Sequence, residues 1–259
     1  MRLALFFMGC LFVAKSVFAC SPAESNTLAA FEQEITAALK EHANASVIDF
    51  GFLPSQCKSW SQKVGSAILA KPYLYESAEN GERYFGMVVA VVDEQTGKIL
   101  SSINDEKMMV VDAIEPSDIN IDTADYAIRP GGLAFGIRTT RRNYSDAAPI
   151  RQESMNVYII DRGSLGRVVD SLLMNSSHGE GNPDCEFSGV ENTAILSVLK
   201  NTTKGYYDLR ERIKTNHIKY IKNGSECKKT SAPTTATDYI LKFNGATYGI
   251  PKALQADVE

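Results

Sequence analysis

The stretch His178-Gly179-Glu180-Gly181-Asn182-Pro183-Asp184-Cys185-Glu186 places an imidazole and three carboxylates within nine residues. Two chemistries are open to it. His178 with Asp184 or Glu180 could form the acid–base pair of a hydrolase. The same carboxylates could instead offer oxygen ligands to a hard cation such as calcium. A plainer reading makes the stretch a long hairpin loop, with glycines at its sharp turns and a disulfide pinning it at Cys185. Rigidly anchored loops of that kind often carry recognition.

The rest of the chain adds little to the catalytic reading. A nucleophilic hydrolase needs nucleophile, base and oxyanion site within reach of one another. His42 ends a helical segment, where an imidazole complements the helix dipole. His217 lies among Lys214, Lys219 and Tyr220 on an expected exposed strand. There is no G-x-S-x-G elbow, no H-E-x-x-H and no P-loop. Gly131-Gly132-Leu133-Ala134-Phe135-Gly136 lacks the spacing of a dinucleotide loop and reads as a hairpin turn. Asp112, Glu115, Asp118, Asp122 and Asp125 read as a solvated acidic face. No catalytic residue outside the His178 stretch, no metal ligand set and no cofactor is therefore assigned.

Cys20, Cys57, Cys185 and Cys227 are the cysteines outside residues 1–19. No two stand at C-x-x-C spacing, so neither a redox motif nor a zinc ribbon is supported. Four cysteines in an exported chain read as two disulfides, and three pairings satisfy the count. We favour Cys20–Cys57, which would staple the N-terminal helix to the segment after it, and Cys185–Cys227. The latter closes a loop of roughly 40 residues, about 4 kcal/mol in the chain-entropy account.

Export itself is read from residues 1–19. Arg2 supplies the positive start, Leu3 to Val13 is apolar, and Val17-Phe18-Ala19 offers a small-residue cleavage site. The apolar run is about half the ~20 residues a spanning helix needs. Cleavage before Cys20 predicts a periplasmic or secreted protein. Val17-Phe18-Ala19-Cys20 also resembles a lipobox, and lipidation of Cys20 would make an outer-membrane lipoprotein. Contact with a membrane is expected only in that case. Loss of Arg2 and Lys15 with the leader takes the formal charge from −4 to about −6, which argues against nucleic acid as a partner.

The elements that must position these groups are read from periodicity. Residues 20–44 hold one amphipathic helix, with Leu28, Phe31, Ile35, Ala38 and Leu39 on one face. Residues 45–259 read as a β domain. Met87 to Val92 is a continuous apolar run suited to a strand buried on both faces. Hairpins are expected around Gln95-Thr96-Gly97, Arg162-Gly163-Ser164, Asn201 to Gly205 and Asn244-Gly245. The last would join Asp238–Phe243 to Ala246–Ile250. Ser225 to Thr237 reads as a solvent loop or a long hairpin tip, and Trp60 as a core plug or an interface anchor, the core being favoured. Without helical crossovers the fold class is mainly β: an antiparallel meander, either a sandwich or a curved sheet closing toward a partial propeller, with one N-terminal helix.

Gly205-Tyr206-Tyr207-Asp208-Leu209, Tyr239 to Phe243 and Asn244-Gly245-Ala246-Thr247-Tyr248 resemble the closing strands of small exported bacterial β proteins with FG-GAP-like strand patterns. The resemblance covers about 45 residues and implies a β fold. The calcium-binding aspartate run of true FG-GAP repeats is absent, so metal binding does not carry over. The expected function is that of a non-enzymatic periplasmic or envelope protein binding another macromolecule, of inhibitor, immunity or accessory type, with a protein partner in the envelope. The alternatives are an exported hydrolase built on the His178 loop and a calcium-stabilised envelope protein.

Overall fold

The computed structural model describes residues 23–42, 45–182, 185–224 and 226–256. Residues 1–19, where a leader is expected, and Cys20, Asn44 and Asp184 lie outside them. The described chain is mainly β with one α-helix, α1 (Ala23–His42), and a single 3-10 turn at Lys252–Leu254. Its two antiparallel sheets do not close into a barrel. None of its helices is long and apolar enough to cross a membrane.

The first sheet contains β1 (Ala45–Asp49), β2 (Gln56–Ser59), β3 (Ser66–Ser77), β4 (Arg83–Asp93) and β5 (Ile99–Val110). Both β1 and β2 pair with β3, which is followed by β4 and β5. β3 and β4 are buried on both faces because each side of the sheet meets an apolar layer. On one side α1 lays down Phe31, Ile35 and Leu39, four residues apart on a single face, against Leu69, Tyr73 and Val88. Lys71, nearly buried, spans this layer by pairing with Glu32 of α1 at 2.8 Å. Pro72 falls where β2 has ended and β1 has not begun, so its missing N–H meets no strand on that side.

The second sheet runs β6 (Glu115–Asp122), β7 (Ala134–Arg142), β8 (Ile150–Asp161), β9 (Ser164–Asn182), β10 (Glu186–Thr203), β11 (Tyr206–Asn223) and β12 (Glu226–Ser231). β13 (Thr235–Leu241) also pairs with β11. Alternation along β7 and β8 splits their side chains between two cores. Phe135, Ile137 and Tyr158 join Phe85, Met87 and Trp60 against the first sheet. Trp60 is thus a core residue, edge-on to Phe135. Ala134, Met155, Val157 and Ile159 face the other way.

That second core forms because the sheet splits. β9 and β10 are paired only between Asn175–Asn182 and Glu186–Thr193. From Ala194 onward β10 leaves β9, and with β11 and β13 covers the far side of β7–β9. The C-terminal residues fill the vacated slot: Tyr248 N–H donates to Val168 O (2.8 Å) and Ala256 N–H to Ser171 O (3.0 Å).

Two expectations are corrected. Of the loop and hairpin-tip readings for Ser225 to Thr237 the loop is wrong: residues 226–231 form β12, which returns along β11 as a hairpin, and 235–237 start β13, both held by ladder bonds to β11. The hairpin at Asn244-Gly245 is a tight turn without long strands: only Phe243 and Tyr248 bridge across it. Asn244 Oδ1 accepts from the N–H groups of Ala246 and Thr247, and the rings of Phe243 and Tyr248 pack on Tyr206 instead of extending a ladder. The hairpins at Arg162-Gly163 and Lys204-Gly205 are as expected, with positive φ at both residues of each.

Candidate functional site

The His178 stretch is a strand where a loop was expected. β9 continues to Asn182 and β10 starts at Glu186, so three residues separate the two strands. The glycines serve packing. Gly179 and Gly189 sit side by side in the ladder beneath the Phe187 ring, and a Cβ at Gly179 would lie 2.3 Å from its Cζ. Tyr220 meets the same ring edge-on at 6.3 Å. An aromatic ring thus covers strand glycines that have no side chain to pack.

These distal parts of β9, β10 and β11, with β12, make an arm beyond the point where the sheet splits. Its end is cross-linked by Cys185–Cys227, joining the start of β10 to the start of β12, strands that β11 separates in the sheet. This is the expected pairing. Cys57 is disulfide-bonded as well, and its proposed partner Cys20 lies outside the described residues.

Register shows what the arm presents. Val190 pairs with His178 on one side and His217 on the other, so the three share a rung and a face. Two rungs along, on the same face, come Glu180, Ser188 and Lys219. Together they line a shallow groove of about 640 Å³. His217 was not connected with His178 in the sequence, because 39 positions separate them and only the three-strand ladder aligns them. Val190 stands between the imidazoles. Glu180 is on the same face of β9 as His178 but forms no ion pair with it, and Asp184 lies outside the described residues.

The acidic cluster is dispersed into local bonds. Against its burial, Asp122 accepts from the Ala124 N–H (3.0 Å), binds Arg138 (2.8 Å) and accepts from Tyr126, which together hold its carboxyl below the usual carboxylate range. Asp112 accepts from Ile114 N–H, Asp118 from Ile119 N–H, and Glu115 faces Arg83. Among the described residues no three His, Cys, Asp or Glu side chains are grouped to hold a metal ion.

A second polar centre escaped the sequence reading. Asp105 on β5, almost buried, accepts from the Tyr158 hydroxyl of β8 at 2.5 Å and faces Arg167 of β9 at 3.4 Å. Arg167 also reaches Asp170 at 3.1 Å. Burial pushes the Asp105 carboxyl up and the Tyr158 phenol well up. Beside them β9 bulges: Ser171 adopts φ +50°, with its N–H held by Asn156 Oδ1 at 2.6 Å. Arg167, Asp170 and Ser171 line a cavity of about 350 Å³ with Met108, Tyr248 and Gln255. The Ser171 hydroxyl bonds Asp170, and no imidazole lines the cavity. The four charged or phenolic groups come from three strands, and no spacing in the sequence connects them.

The cross-link has a measurable consequence. Cys185→Ser with Cys227→Ser is expected to speed amide exchange in 175–193 and 214–231 well over tenfold, with β3 and β4 unchanged, since about 4 kcal/mol is the chain-entropy ceiling for such a loop. Exchange mass spectrometry reads both regions at once. Uniform acceleration across the chain would instead make the arm part of one cooperative unit. Compared with known proteins, the chain matches no family, no curated protein and no solved structure.

Proposed function

We propose that this chain is an exported protein without catalytic activity that binds a protein partner in the cell envelope or outside the cell, as an inhibitor, immunity or accessory factor. One observation carries the reading: the cross-linked arm holds long polar strands in order beyond the cores and turns the His178–Val190–His217 rung outward. Ordering those residues costs backbone entropy that little apolar burial offsets. A contact surface accounts for such strands, and a partner's contacts would return free energy on binding.

The disulfides support an oxidising compartment. A leader cleaved before Cys20 accords with that, and the lipid-anchored alternative differs only in how the same surface is held near the membrane. The arm mixes signs, with Glu180 and Glu186 toward one edge and Lys219, Lys222, Lys228 and Lys229 toward the other. Such a pattern orients a partner more than it adds affinity.

The test compares the immobilised oxidised protein with a His178→Glu/Lys219→Glu variant of equal melting temperature. Both are challenged with envelope and culture fractions. A saturable protein ligand that the variant loses supports the reading. A ligand retained by the variant, or none from any fraction, overturns it.

A further inference from the structure

The sheet edges of this protein are not alike. Exposed edges invite pairing with another strand, and proteins usually blunt them with short strands, bulges, proline or lysine. Here β2 has four residues, and β1 and β5 carry register irregularities. β6 has both Pro116 and a bulge beside it. β12 bears Lys228 and Lys229. β13 has none of these. Its seven residues, Thr-Ala-Thr-Asp-Tyr-Ile-Leu, pair with β11 without a register shift, and among the described residues no strand lies on its other edge. The composition favours strand, all but Tyr239 and Leu241 are exposed, and Ile240 leaves 47% of its surface in water.

We infer that β13 is a self-association edge, where a second copy of this chain adds its own β13 in antiparallel register. The free stretch sets that register. Past Leu241 the chain closes its own edge, with Gly249 N–H bonding Lys242 O at 3.0 Å. Residues Thr235 to Leu241 are therefore left to pair about Asp238. Ile240 of one copy then lies opposite Ala236 of the other, which covers the exposed isoleucine. Tyr239 lies opposite Thr237, an aromatic–β-branched pair of the kind that stabilises sheets. The two Asp238 carboxylates meet at the centre. Each is already beside Arg212 of its own β11, in a loose 3.8 Å pair with both side chains about half exposed. The central row is thus Arg–Asp–Asp–Arg, neutral in sum. The strand is complementary to itself, which is what a two-fold interface requires.

The experiment uses the full chain with its disulfides formed. Sedimentation equilibrium from micromolar to submillimolar concentration is expected to show a mass rising from one copy to two. Over the same range, amides within 235–241 should become protected from exchange. Ala236→Lys with Ile240→Lys sets two lysine pairs across the seam, at sites exposed in the single copy. This variant should stay monomeric with an unchanged melting temperature. A chain that stays monomeric throughout overturns the inference. So does a dimer in which exchange at 235–241 is independent of concentration, whatever the variant does.

Discussion

At about pH 8, Glu211→Gln is expected to unfold several degrees above the unsubstituted chain, and the two should converge as the pH falls toward the ordinary glutamate value. Glu211 is fully buried on β11, between Leu196 of β10 and Tyr239 of β13 in register, and neither carboxylate oxygen has a hydrogen-bond partner. Its side of β11 faces the second core, beside Leu209 and Ile213. Burial alone pushes its carboxyl from 4.5 up to about 7. The folded chain therefore keeps a proton that the unfolded chain releases between those values. Stability conferred by the neutral form is complete below the unfolded value and is lost as the pH rises toward the folded one. At 1.36 kcal/mol per unit, the loss is about 3 kcal/mol by the time both states are ionised.

Glutamine keeps the shape and cannot ionise, so it escapes that loss while still burying a polar group. For a chain of this size, about 3 kcal/mol corresponds to roughly 6–12 °C in melting temperature. Asp122, Asp93 and Asp161 act in the opposite direction. Their lowered values contribute stability that disappears as the pH falls through their folded values. That acid-side loss is common to both proteins and cancels in the comparison. Calorimetric melts from mildly acid to mildly alkaline pH give the answer. If the variant loses stability with pH in parallel with the original, the slope comes from another group.

The second large effect is at Asp105. Its replacement by Ala leaves the fully buried Tyr158 hydroxyl without an acceptor, with only the 3.4 Å contact from Asn156 Nδ2, and takes from Arg167 one of its two carboxylates. Breaking a buried charged network by removing one partner typically costs about 3–5 kcal/mol. Asp105→Asn leaves an oxygen to accept from Tyr158 and should cost far less. Tyr158→Phe should cost about 1–2 kcal/mol, and combining it with Asp105→Ala should cost less than the sum, because the two share one bond. Urea unfolding of the four proteins measures the coupling. An Asp105→Ala chain within about 1 kcal/mol of the original would mean that water replaces the carboxylate and that the cavity beside Arg167 already admits it.

These two groups mark the boundary of what local pattern conveys. α1 was legible because Phe31, Ile35 and Leu39 recur at helical spacing, and the structure buries that stripe. Met87 to Val92 was legible because a strand covered on both faces needs an unbroken apolar run. Arg162-Gly163 and Lys204-Gly205 were legible because few residues accept positive φ. The arm is legible only in part: His217 lies on a strand as its surroundings suggest, whereas the glycines and alternating polar residues around His178 resemble a loop when taken alone and become strand through ladder bonds to neighbours that are themselves polar. β13 was found only in part, since Asp238 onward carries its apolar signal and Thr235 to Thr237 do not.

The amino-acid order by itself determined that this chain would be a β protein behind one helix, because side-chain periodicity and turn chemistry act over a few residues. Its cysteines allowed three pairings, and folding selected Cys185–Cys227 by bringing the starts of β10 and β12 together. Only the tertiary structure decided that His178 and His217 would flank Val190, that Asp105, Tyr158 and Arg167 would meet, and that Glu211 would be buried without a partner. Each of those outcomes depends on the register between strands distant in sequence and on where the sheet splits. Both are set by the competition between two cores for the same strands, which no window along the chain contains.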